Sequence, residues 1–98
     1  MAAYRFSDPR DLHAILDGIE VLIVESNWIS AAPIAGRIRD EAHHQRSVAV
    51  NKSEWRDFLV HANNLELAVS AQDQAGAAEE LAALCLTLAT AAGPKRQP

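Results

Sequence analysis

The chain has 98 residues, sized for one domain, and its 49% apolar and 22% charged composition excludes a disordered tail. The formal net charge is −4 and basic residues are scattered, with no Lys/Arg run before Lys95-Arg96, which argues against a nucleic-acid partner. A lone cysteine, Cys85, excludes an internal disulfide and a cysteine-based metal cluster.

The N-terminus, Met1-Ala2-Ala3-Tyr4-Arg5, lacks the apolar core of a signal peptide, so the expected location is cytoplasmic. Ser7 is placed to cap a first helix, with Asp8 and Pro9 suited to its first turn. Leu12, Ile15, Leu16, Ile19, Leu22 and Ile23 then recur at spacings of three and four, while Val21, Val24 and Trp28 add a second stripe. A rival reading applies to residues 19–24. Asp17-Gly18 is a turn signal and the β-branched run after it fits a short buried strand equally well. The single long helix is the reading adopted.

Ser30 can cap a second helix, with Pro33 in its first turn. Ala31, Ile34, Ala35, Ile38 and Ala42 form its narrow apolar seam, and Arg37, Arg39, Asp40 and Glu41 are expected to face outward. Residues 47–50 are a break whose two valines, Val48 and Val50, are expected to plug the bundle end. Asn51-Lys52-Ser53-Glu54 has the spacing of a capping box. The segment it opens is the best patterned in the chain: Trp55, Phe58, Leu59, Ala62, Leu65, Val69 and Gln72.

Asp73 is expected to cap the last helix, lined on one side by Ala77, Ala78, Leu81, Leu84, Cys85 and Leu88. Ala82, Ala83, Ala89, Ala91 and Ala92 cover much of the rest, so the helix is nearly apolar all round and part of it is expected to meet another subunit. Gly93-Pro94 ends it, because glycine accepts positive φ and proline cannot continue a helix. Residues 81–92 are apolar but too short for a bilayer, and no membrane is expected. The sum is four helices of roughly 16–21 residues with short connections, an all-α antiparallel four-helix bundle. It forms one domain over residues 1–98, with short flexible ends at about 1–6 and 94–98.

Glu54-Trp55-Arg56-Asp57-Phe58, followed by Ala62, Leu65, Ala68 and Ala71, resembles the third helix of cytochrome c′-type four-helix bundles. Ala82-Ala83-Leu84 through Thr87 is similar to that family's run into its haem attachment site, and Tyr4-Arg5 stands where such proteins begin their first helix. The resemblance implies the scaffold and not the cofactor. The family attaches haem through Cys-x-x-Cys-His, whereas here the stretch reads Leu88-Ala89-Thr90-Ala91-Ala92. No cofactor is therefore expected. Residues 21–25, Val-Leu-Ile-Val-Glu, resemble instead the first strand of response-regulator receiver domains, which implies a small α/β receiver-like fragment as the alternative fold. One carboxylate stands where that family tends to have two, and the later strands are missing.

Chemistry-bearing residues are sparse. His43 and His44 are neighbours about 100° apart on a helix and cannot readily share a metal, while Asp40 and His44 are spaced as an ordinary surface pair. His13 and His61 have no sequence-local partner, and Cys85 reads as an inert core thiol. No catalytic or metal site is expected. The candidate interaction residues are Trp28 and Ile29, at a helix end, with Leu84 and Leu88 on the last helix. They point to a non-enzymatic bundle acting in protein–protein interaction or regulation, its partner a protein or a second copy. The alternatives are a ligand- or cofactor-binding bundle without covalent haem and a degenerate receiver-like signalling fragment.

Overall fold

The three-four rhythm of residues 55–69 is realised as a helix with one wholly buried side. In the computed structural model, which describes residues 8–95, α3 spans Lys52–Ser70 and buries Trp55, Phe58, Leu59, Ala62, Leu65 and Val69. Trp55 and Phe58 meet edge-on with ring centroids 5.3 Å apart and planes at 74°, a pairing worth about 0.5–1.5 kcal/mol beyond area burial. Around α3 the chain places α1 (Leu12–Val24), α2 (Trp28–Val48) and α4 (Gln74–Ala92), with a 3₁₀ turn at Pro9–Asp11 ahead of α1. Each helix packs on its neighbours in chain order and α4 closes back on α1, so the described residues form an all-α antiparallel bundle.

Residues 19–24 belong to α1, and the strand alternative with its receiver-like fold is overturned, since no strand occurs among the described residues. The α1 helix is shorter than expected, however. It stops after 13 residues, and Trp28 begins α2 instead of ending α1. The cause is a chain reversal that lacks glycine. Ser26 adopts φ 57°, its N–H donates to the Ile23 carbonyl at 3.0 Å, and the Asn27 N–H donates to the Leu22 carbonyl at 2.8 Å. These two bonds define the Schellman helix end. Asn27, rather than Ser30, then caps α2 by accepting from the Ser30 N–H at 3.3 Å. Pro33 consequently lies beyond the first turn, where its missing N–H removes the helical donor of the Ile29 carbonyl.

The α3–α4 connection repeats the device. Gln72 adopts φ 55° and donates to Val69, Asp73 donates to Ala68, and the Asp73 carboxylate accepts from the Gly76 N–H at 2.9 Å. A Cβ on Gly76 would meet that carboxylate, which would have to shift to admit a larger residue. The α2–α3 connection is built differently. Asn51 makes no side-chain cap and the expected capping box does not form: its amide donates 2.8 Å to the Ala91 carbonyl, tying the hairpin tip to the end of α4. Val48 and Val50 do not plug the bundle; they are 61% and 102% exposed.

Both ends of the bundle are laced by contacts distant in sequence. At one, the Gln74 amide donates to the Ile23 and Val24 carbonyls at 2.7 and 3.1 Å, finishing the C-terminus of α1. At the other, His13 Nε2 lies 3.1 Å from the Gly93 carbonyl and, facing an oxygen that only accepts, must donate. Gly93 ends α4 at φ 104° and ψ 167°, a region open essentially to glycine. The predicted first cap, Ser7, lies outside the described residues, as do residues 1–6 and 96–98 of the expected flexible ends. Within the described region Lys95 is held by an ion pair to Asp17.

Candidate functional site

The last helix, apolar over most of its circumference, carries two apolar seams. Ala77, Leu81, Leu84 and Leu88 face inward and are buried. Ala75, Ala78, Ala82, Cys85 and Ala89 recur at the same three-four spacing, turned roughly 110° away on a helix of about 100° per residue, and all are exposed. Leu86 extends this outer face at 73% exposure. The entire helix, not residues 81–92 alone, is long and apolar enough to cross a membrane by length and composition, yet only 22% of its most apolar stretch is buried. The outer seam is part of the uncovered share.

The α1 helix forms the other wall. Between α1 and α4 runs a groove of about 120 Å³ lined by Glu20, Ile23, Val24, Ala78, Leu81, Ala82 and Cys85. Val21 and Val24 stand beside it at 54% and 69% exposure, so an apolar strip continues from α4 onto α1. Glu20 is the ionic group in its lining, and the Asp17–Lys95 pair acts electrostatically on Cys85.

The predicted interaction residues are therefore divided. Ile29 is an exposed side chain in the first turn of α2, and Trp28 beside it is half-buried against the core. Leu84 and Leu88 are fully buried and unavailable to any partner, a correction to the expected site. Each lies one position from an exposed neighbour, Cys85 or Ala89, and the placement of α1 and α3 decides which of the two turns in. Cys85 accordingly leaves its predicted core position. The groove wall desolvates one side of its exposed thiol and pushes its pKa up, Asp17 and Glu20 add to the rise, and Lys95 opposes it.

Other polar residues are engaged in packing. Glu41 was expected outside, yet it is 3% exposed and accepts 3.0 Å from the Gln45 amide one turn on. His61, without a partner in sequence, donates from Nδ1 to Glu80 of α4 at 2.7 Å. Asp40, the proposed surface partner of His44, is instead held by Arg39, which also bridges to Glu66 of α3. Among the described residues no three His, Cys, Asp or Glu side chains gather where a metal ion could be held.

No protein-family model matches the chain, and no curated protein or solved structure is significantly similar to it.

Proposed function

We propose that the protein is a non-enzymatic interaction module that associates with a second copy of itself through the outer face of α4. The observation that carries this reading is the exposed seam Ala75, Ala78, Ala82, Cys85 and Ala89, flanked by Leu86 and Val24. A three-four repeat of small side chains is the pattern that lets two helices approach closely, and a twofold axis sets the seam against itself. The engagement of His13, His61, Glu41 and the raised thiol of Cys85 in packing or groove electrostatics supports a binding role over a catalytic one.

Light scattering of the full chain across a concentration series tests this. A dimer is expected, with Ala82→Glu giving a folded monomer because a carboxylate buried in that seam has no partner charge. Mild oxidation should cross-link the dimer through Cys85 and leave the Ala82→Glu variant uncross-linked. A protein that stays monomeric at millimolar concentration overturns the proposal.

A further inference from the structure

A second surface, on the side of the bundle away from α4's outer seam, has opposite chemistry. Residues 43, 46 and 47 share one face of α2, and residues 52, 53 and 56 share one face of α3. The hairpin turns these faces onto a cleft of about 560 Å³ lined by His43, Arg46, Ser47, Lys52, Ser53 and Arg56. No carboxylate lines it, although acidic residues outnumber basic ones 13 to 9 over the whole chain. Glu54 and Asp57 of the same α3 turns line a separate hollow beside Thr87 and Thr90 of α4, with the Glu54 carboxylate accepting 2.9 Å from the hydroxyl of cleft-lining Ser53.

The charge pairing within the protein singles out this cleft. Arg10 is paired with Asp8, Arg39 with Asp40 and Glu66, and Lys95 with Asp17, while Arg37 is also engaged. Arg46, Lys52 and Arg56 form no ion pair among the described residues, and all three line the one concavity. Lys52 is fixed there, its ammonium donating to the Ser47 and Arg46 carbonyls at 2.9 and 3.4 Å. Lys52 and Ser53, which line this cleft, belong to the first turn of α3, which has no side-chain cap. Because the Asn51 side chain is drawn away to Ala91, the N–H groups of Lys52, Ser53 and Glu54 have no acceptor among the described residues. Two guanidinium forks, one ammonium and a free helix N-terminus together meet the requirements of a phosphoryl group.

We infer that the α2–α3 cleft binds the phosphoryl group of a small ligand. The scattering of basic residues along the sequence concealed it, since Arg46 and the pair Lys52 and Arg56 come from different helices. The cations fill one pocket and do not extend into the stripe that a polynucleotide backbone follows, so the ligand is a compact phosphate and not a nucleic acid.

Pyrophosphate titrated into the full chain at physiological ionic strength, followed by amide chemical shifts, is the test. Saturating shifts at Lys52, Ser53 and Glu54 are expected. Arg46→Gln and Arg56→Gln, chosen because neither side chain makes a structural contact, should each weaken binding about tenfold. Arg37→Gln, an equal charge loss outside the cleft, should leave it unchanged. Binding to phosphatidylcholine vesicles carrying phosphatidic acid, lost in the same two variants and without a pyrophosphate response, assigns the phosphoryl group to a lipid headgroup. Unsaturable shifts spread over all basic residues, or equal weakening in Arg37→Gln, overturn the site. Self-association uses the opposite face and can fail without affecting this result.

Discussion

Ser26 and Gln72 hold positive φ angles of 57° and 55° at the turns that join α1 to α2 and α3 to α4. The left-handed conformation costs an L-residue about 1–2 kcal/mol, and neither side chain is Asn or Asp, which tolerate it best. Ser26→Gly and Gln72→Gly remove that cost. Against it stands the greater backbone freedom of glycine in the unfolded chain, about 0.5–1 kcal/mol. The net gain is about 0.5–1 kcal/mol per site, or roughly 2–8 °C in Tm for a domain of this size. The same substitution at Ala49, in the α2–α3 connection, supplies the control. Its φ of −76° and ψ of 155° suit any residue, so Ala49→Gly gains no relief of strain, keeps the entropic loss, gives up a methyl packed on the core, and lowers stability. Thermal and urea unfolding, followed by circular dichroism, measure all three. Stabilisation by the first two with destabilisation by the third is expected. Equal losses at all three positions would refute the claim that two of the connections are Schellman turns and the third is not.

The division of α4 into inner and outer seams makes two further predictions. Leu88→Ala should cost about 2–5 kcal/mol in urea unfolding, whereas Leu86→Ala, two residues away and 73% exposed, should change monomer stability by less than about 0.5 kcal/mol. Equal costs would place α4 in another rotation. Cys85 should alkylate more slowly than a free cysteine near pH 8, because a raised thiol pKa leaves less thiolate at that pH, and its pH–rate midpoint should lie above the ordinary thiol value. Glu20→Gln should move that midpoint downward and speed the reaction. An unshifted midpoint in both proteins would show that the groove does not hold the thiol as described.

The helices were legible where one side of the pattern was unambiguous. The rhythm of α3, the Asp73 cap and the Gly93 stop could each be read from residue identity. The α1–α2 boundary was hidden because Ser26 occupies a position that glycine usually marks, and the apolar stripe runs straight through it to Trp28. Asn51 misled for the opposite reason. Its capping-box spacing is intact, but the Ala91 carbonyl of a distant helix takes its side chain. Glu41 reads as surface by its charge and is buried because it lies on the flank of the Ile38, Ala42 and Gln45 stripe, where Gln45 satisfies one oxygen. Neither proposed site was legible as a unit. The anion cleft joins two helices across a turn, and which residues form the outer seam of α4 depends on where α1 lies.

The exposure of the outer seam has a geometric origin in the rotation of α4. The α1 helix reaches both ends of α4, through Gln74 on the Ile23 and Val24 carbonyls and through His13 on the Gly93 carbonyl. The inner seam of Ala77, Leu81, Leu84 and Leu88 takes the core, and the seam of Ala75, Ala78, Ala82, Cys85 and Ala89 is turned roughly 110° from it. Rotation, and not the length of α1, therefore leaves that seam uncovered. A charge placed on it, as in Ala82→Glu, should abolish self-association while the α2–α3 cleft keeps its phosphate response.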